Sequence, residues 1–313
     1  MSLTLFADGV QNSANLDRLE DLGRLLGAAC ENAISGHLIA VENAPGAREI
    51  YGRRPLRGDA TLAVGNERRG LSRAVLSAAD ETVVIPTQSR TVTTLNVAAA
   101  AAVAAWYVLR GSGPQARATH PDRRRPALLV VGDDHVEVGS SLRSAAAFGF
   151  RDVLLEDRGA GWFEGPASIR REARAAARRY KNPLRIHRAT LEHASRFDDV
   201  RVVVPSGDAA PLQRERLTRG RSQVIVVGAL PEDLESIAPG RVRVASLRLE
   251  PVLSPPLRLV ASILLAEVSR QVGRRRPVPG EPAPRAPRYD AALRLLLPEH
   301  EVVSVESAAL LAY

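Results

Sequence analysis

Short β-branched runs alternate with longer helix-patterned segments along most of the chain, and that alternation leaves few folds open. Strands are expected at Leu3–Phe6, His37–Val41, Thr61–Val64, Thr82–Ile85, Ala127–Val131, Val153–Glu156, Val200–Val204, Val224–Val227 and Arg241–Ala245. Helical patterns fall at Leu16–Leu26, Ser72–Ala79, Thr94–Arg110, Ser140–Phe148, Ala167–Tyr180, Pro211–Arg219 and Leu257–Val272. Strands interleaved with helices predict the α/β class, with largely parallel sheets flanked by helices.

Two stretches interrupt the pattern. Gly111 to Pro126 carries Gly-Ser-Gly-Pro and then Arg123, Arg124 and Arg125, and Gly273 to Arg288 carries Arg274, Arg275 and Arg276 followed by closely spaced prolines. Both read as extended linkers. The expected organisation is a first unit at 1–111, a linker at 112–126, a second unit at 127–273, a Pro/Arg-rich linker at 274–288 and a C-terminal segment at 289–313. That last segment is apolar again (Leu295, Leu296, Leu297, Val302, Val303), so it is expected to pack back on the body. The two units also look like copies. Asn15–Gly27 aligns with Glu137–Gly149, Ala63–Gly65 with Val226–Gly228, and Val103–Arg110 with Ile263–Arg270, in the same order, with the middle of the first copy shortened.

A chain of 313 residues accommodates two such domains, and 45% apolar residues suffice for full cores. One cysteine, Cys30, excludes a disulfide scaffold or a cysteine-rich zinc site and suits a reducing cytoplasm. The N-terminus has no basic and apolar leader, and the longest apolar run, Val97–Val108, is shorter than the roughly 20 residues that span a bilayer. A soluble cytoplasmic protein away from membranes is expected. The net charge of +8 suits a polyanion such as RNA. Lys181 is the one lysine among 43 basic residues, a skew that the codon bias of a GC-rich genome explains better than selection for phosphate binding does.

Three blocks carry candidate chemistry. Val64-Gly65-Asn66-Glu67-Arg68-Arg69-Gly70 follows a strand and opens a helix, where a glycine permits close approach to the backbone and a helix start offers N–H groups. Ile85-Pro86 follows the next strand, and Thr94-Leu95-Asn96-Val97 leads into an Ala-rich helix that Asn96 is placed to cap. In this order they resemble the SpoU/TrmH branch of the SPOUT superfamily, S-adenosyl-L-methionine-dependent RNA ribose 2′-O-methyltransferases. That branch has an Asn-x-Gly motif with an Arg four residues on and a later Phe-Gly, then Gly-Asn-Glu-x-x-Gly, then Ser-Leu-Asn-Val. The resemblance implies two tandem α/β domains of trefoil-knot type and, as cofactor, S-adenosyl-L-methionine. It implies a cofactor site at Val64, Gly65, Asn66, Gly70, Ile85, Pro86, Thr94, Leu95 and Asn96.

The departures from that pattern divide between the halves. The first keeps Asn15 but has Asp17 and Asp21 at the family's Gly and Arg positions. The second keeps Gly139, Arg143, Ala145, Phe148 and Gly149, with Glu137 in place of Asn. Its later motifs read Gly228-Ala229-Leu230 and Ser254-Pro255-Pro256-Leu257, where proline removes a backbone donor. The family's active unit is a dimer, so the resemblance implies a fused pseudo-dimer, monomeric as a chain, with one composite site. In it Arg143 stabilises the oxyanion and holds phosphate, Asn15 and Glu67 orient the nucleotide or the arginine, and Asp21 would meet Pro256 in a dead second site. RNA, ribosomal or transfer, is the implied partner, and no metal is required. Arg170, Arg174, Arg178 and Lys181 share a helix face that would serve as an RNA-binding face or as a solvated surface. Asp133-Asp134-His135-x-Glu137 has ligand-type residues but no matching distant pair, so it does not read as a metal site. The alternatives are an inactive RNA-binding or scaffold protein of the same fold and a small-molecule methyltransferase of secondary metabolism.

Overall fold

The computed structural model describes residues 2–89, 92–161, 184–204, 210–237, 242–246, 256–275 and 302–303. The first unit contains β1 (Leu3–Asp8), α1 (Ser13–Leu26), β2 (Ala29–Cys30), β3 (His37–Val41), β4 (Arg48–Glu49), β5 (Ala60–Gly65), α2 (Arg73–Ala78), β6 (Glu81–Val84) and α3 (Val97–Arg110). Its strands form one wholly parallel sheet in the order β2-β1-β5-β3-β6-β4. The connecting stretch holds β7 (Arg117–Ala118) and the short α4 (Pro121–Arg124). The second unit contains β8 (Ala127–Val131), α5 (His135–Ala147), β9 (Asp152–Glu156), β10 (Arg185–Arg188), β11 (Asp199–Val203), β12 (Ala210–Pro211), β13 (Gln223–Val227), β14 (Val242–Ser246) and α6 (Leu257–Val272). After it come β15 (Arg274–Arg275) and β16 (Val302–Val303).

The second sheet runs β12-β14-β11-β13-β8-β9-β10-β16 and is parallel except where β16 joins β10 antiparallel. Six of its strands, β9-β8-β13-β11-β14-β12, repeat the order of the first sheet when these six are ranked among themselves; β10 and β16 extend one edge. Both sheets fit the α/β expectation. Strands β8, β11 and β13 are buried along their whole length, which parallel sheets covered on both faces require.

The halves share one core. Residues of α1, α3, α5 and α6 and one face of each sheet fall into a single apolar cluster. The outer face of the first sheet packs Leu38, Ala40 and Ala63 against Leu71 and Val75, and the outer face of the second packs Leu129, Val202 and Val226 with Phe197 and Ile237. The Ala-rich α3 lies against α6, with Trp106 and Tyr107 fully enclosed. Glu267 of α6 is buried too. Its Oε2 accepts the Tyr107 hydroxyl at 2.8 Å and Arg270 Nε at 2.9 Å, and its Oε1 accepts Gln271 Nε2 at 2.8 Å. Burial, with the Glu267 charge beside it, raises the Tyr107 phenol well above its ordinary pKa, so it stays a donor. Tyr107→Phe removes one donor from a buried carboxylate that keeps Arg270 and Gln271. Urea denaturation should show a loss of about 1–2 kcal/mol.

Several elements differ from the sequence-based expectation. Pro211–Arg219 is not a helix: Pro211 ends β12, and a single 3-10 turn at Leu212–Arg214 is followed by extended chain. Tertiary anchors override helix propensity there. Leu212 and Leu217 enter the core, Gln271 Oε1 accepts the Leu217 N–H at 2.9 Å, and Glu215 pairs with Arg201. Strand β10 was not foreseen, because Arg-Ile-His-Arg looks polar; Arg185, Ile186 and His187 are nonetheless buried, with Asp152 hydrogen-bonded to His187 at 2.7 Å and ion-paired with Arg185 at 2.6 Å. The linker at 112–126 is tied to the body. The Ala116 N–H donates to the Arg270 carbonyl at 2.9 Å, and β7 pairs with β15 of the second linker. Helix α5 starts earlier than expected because Asp134 accepts from the Val136 and Glu137 N–H groups. The helix expected at 167–180, with Arg170, Arg174, Arg178 and Lys181, lies outside the described residues, as does 276–288; of 289–313 the described part is β16. Among the described residues no helix is long and apolar enough to cross a membrane.

Candidate functional site

In open parallel sheets, ligands gather outside the carboxyl ends of the strands. At that edge of the first sheet, β5 ends at Gly65 and β6 at Val84, and the loops that follow hold the residues singled out above. The 65–70 loop is a closed turn. The Asn66 N–H donates to the Gly70 carbonyl at 3.0 Å and the Gly70 N–H returns to the Asn66 carbonyl at 2.9 Å. Asn66 Oδ1 accepts from the Arg68 and Arg69 N–H groups at 2.9 and 3.2 Å, while its Nδ2 donates to the Gly9 carbonyl at 2.7 Å. The Asn66 side chain therefore builds the turn and ties it to the loop before α1.

Gly65 permits that closure. A Cβ there would lie 2.2 Å from Gly70 C and 2.2 Å from Leu71 N, both backbone atoms. Gly65→Ala should force the turn open and cost about 1–3 kcal/mol, read by thermal or urea denaturation.

Asn15 joins the two loops. Its Nδ2 donates to Glu67 Oε1 at 2.7 Å, and its Oδ1 accepts from Asn96 Nδ2 at 2.9 Å. Asn96 Oδ1 meanwhile caps α3, accepting from the Ala98 and Ala99 N–H groups at 3.0 and 3.4 Å. Asn15 and Asn96 are buried, Glu67 and Thr94 exposed, and Pro86 is buried beside partly exposed Ile85 and Leu95. Asn15, Glu67 and Asn96 thus meet in one hydrogen-bonded group at the carboxyl edge of the sheet.

The second unit reaches the same loop. On α5, Arg143 donates from Nη2 to Thr94 Oγ1 at 2.7 Å and from Nε to the Thr94 carbonyl at 3.2 Å. At the other end of the loop, the Gln88 and Ser89 N–H groups donate to the Ala147 carbonyl at 2.8 and 3.1 Å. Gln88 Nε2 donates to Ser269 Oγ at 2.9 Å, and Gln88 Oε1 accepts from Arg125 Nη2 at 2.7 Å. Arg143 and the first unit's loop are thus in direct contact.

Around the second unit's counterpart the arrangement differs. Asp21 pairs with Arg18 and Arg24 of its own helix, each at 2.9 Å. Arg18 also donates to Glu137 at 2.8 Å, and Arg258 donates to the same carboxylate at 2.7 Å. Burial works against the Arg18 charge, but the hydrogen bonds and charges of Glu137 and Asp21 outweigh it and hold its pKa above the ordinary value. Arg258, Gln88 and Arg125 were missed in the sequence. Glu137 was signalled by standing where asparagine is expected and by its place in the Asp133-Asp134-His135-x-Glu137 block. No group of three potential metal ligands occurs among the described residues.

Loops at the carboxyl edge of a parallel sheet, tied by buried amides and met by an arginine from a neighbouring unit, make this edge the candidate site of an α/β protein. Residues 7–106, within the first unit, match the model of the SpoU rRNA Methylase family. The match takes in Asn15, Gly65–Gly70 and Thr94–Asn96 and stops short of Arg143. Among solved structures, an rRNA methyltransferase from Sinorhizobium meliloti aligns at 15% identity over 68% of this chain and 73% of that chain, with a TM-score of 0.30. No curated protein matches the chain.

Proposed function

We propose that the protein is an S-adenosyl-L-methionine-dependent methyltransferase of RNA ribose 2′-hydroxyls, on ribosomal or transfer RNA, with one composite site between its units. The observation that carries this reading is the contact of Arg143 with Thr94, which brings a second-unit cation to the loop of the SpoU-matching unit. The equal strand orders of the two sheets support an internal duplication and hence a pseudo-dimer in one chain. The trefoil knot of the first unit's loops belongs to the same proposal.

The residues present fit the cofactor. An adenosine wants apolar contact for its ring and backbone groups for its edges. Partly exposed Ile85 and Leu95, the Val64–Gly65 strand end, Gly70 and Pro86 offer such a lining, and Asn66, Thr94 and Asn96 hold the loops. When bound, S-adenosyl-L-methionine supplies an electrophilic methyl group. The chain's own part is to position a poor nucleophile and bear the charge it develops. Arg143 holds the developing oxyanion and an adjacent phosphate, a task suited to a planar guanidinium. Asn15 fixes the Glu67 carboxylate, which orients the nucleotide.

Incubation with labelled S-adenosyl-L-methionine and ribosomal or transfer RNA tests this. Label should appear in alkali-resistant dinucleotides, because a methylated 2′-oxygen cannot attack the neighbouring phosphate. Calorimetry should give one cofactor per chain. Label on bases, or binding of two equal cofactors, would refute ribose specificity or the single site respectively.

A further inference from the structure

The first unit's polar cluster is held from behind by a buried charge that belongs to the second unit, and we propose that Arg258 is a positioning residue for Asn15 and Glu67. The inference rests on the reading of Asn15 and Glu67 as site residues. It starts from an oddity of the sequence: Glu137 stands where the repeat places the counterpart of Asn15, and Pro256 where it places the counterpart of Asn96. Pro256 gives α6 no side-chain cap. Glu137 supplies one across the unit, with Oε2 accepting the Arg258 N–H at 2.9 Å. Its Oε1 accepts Arg258 Nε at 2.7 Å and Arg18 Nε at 2.8 Å.

The Arg258 guanidinium thus sits in the core, 2% exposed, where a cation is tolerated only among acceptors. Glu137 provides the first. The Asn15 carbonyl oxygen, 3.5 Å from Arg258 Nη1, provides the second.

That second contact gives the Asn15 amide a sense. Arginine can only donate and an ionised carboxylate can only accept. With Arg258 and Asn96 Nδ2 on its oxygen side and Glu67 on its nitrogen side, Asn15 has one orientation that satisfies all of its neighbours. Turned over, it would set NH2 against guanidinium and oxygen against carboxylate. The chain Glu137, Arg258, Asn15, Glu67 therefore runs from the second unit to the exposed carboxylate of the first. The residues that make the second unit's motifs look degenerate have become the support of the surviving cluster.

The test uses the full-length protein and the pair Glu137→Met with Arg258→Met, which removes both charges together so that neither is stranded in the core. Hydrogen exchange is read without ligand. Amides at 66–70 and 98–100 should exchange about tenfold faster than in wild type, the effect of one lost buried hydrogen bond, with β8, β11 and β13 unchanged. In methyl transfer, kcat should fall about tenfold while the KM for RNA stays within twofold, the mark of a displaced Glu67 and not of a loosened fold. Should the pair not fold, Arg258→Lys read by the same exchange is expected to shift the same amides in the same direction, since a lysine cannot serve Glu137 and Asn15 from one fork. Wild-type exchange at 66–70 and 98–100 in a folded variant overturns the proposal. Faster exchange there in a protein whose wild type transfers no methyl group would support the relay and refute the proposed reaction.

Discussion

Arg143→Ala is expected to lower methyl transfer to RNA by about 10²–10³-fold, the usual effect of removing one charge-stabilising donor from a reacting oxygen. Initial rates under saturating cofactor would measure it. The side chain is not part of the core: it lies on the outer part of α5 and ends on Thr94 Oγ1 and the Thr94 carbonyl. The fold should therefore keep its melting temperature, and cofactor affinity should change less than the rate. Arg143→Lys separates charge from shape. Lysine keeps the cation but cannot reach both Thr94 oxygens and a phosphate in one plane, so an intermediate rate is expected. Thr94→Val removes one of the two acceptors and leaves the carbonyl, so it should cost less than either. An Arg143→Ala variant with the wild-type rate would mean that the active unit is not completed by α5.

Much of the architecture was legible because parallel strands buried on both faces advertise themselves. Ala127–Val131 and His37–Val41 are apolar enough to be placed to the residue. Helix α6 was placed equally well, since its face packs on α3 and α5 along its whole length. What stayed hidden was set by distant partners. Arg-Ile-His-Arg enters the sheet with Arg185 and His187 paired to Asp152 of the neighbouring strand, and Pro211–Arg219 gives up its helix to place Leu212 and Leu217 in the core. The site divides in the same way. Asn15, Glu67, Asn96 and Arg143 came from the resemblance to the SpoU/TrmH motifs, and the structure brings the first three together and sets the fourth on Thr94. Arg258 had no local signal. Its role depends on Glu137 and Asn15, which lie far from it in sequence and adjoin it in space.

A chain ending after Gly111 should not persist as a folded monomer, although it contains the whole stretch that matches the SpoU model. Helix α3 shows why. Ala98, Ala101, Ala102, Val103, Ala104, Ala105, Trp106, Tyr107 and Val108 are all buried, so both the side facing its own sheet and the side facing α6 are covered. Cutting away α6 exposes that second side at once. It also strands the Tyr107 hydroxyl, whose acceptor is Glu267, and the Tyr51 hydroxyl, whose acceptor is the Ala266 carbonyl at 3.2 Å. The 85–96 loop loses Arg143, Arg125, the Ala147 carbonyl and Ser269 together. A contiguous apolar face beyond a few hundred Å2 drives association. Light scattering at micromolar concentration should find dimers or larger species, two copies covering α3 with α3 where the intact chain covers it with α6. Cofactor affinity should fall at least tenfold, about 1.4 kcal/mol, because the loop has lost its outer supports. A stable monomer of residues 1–111 with the affinity of the intact chain would show that the second unit neither completes the core nor holds the loop, and it would remove the structural reason for one site per chain.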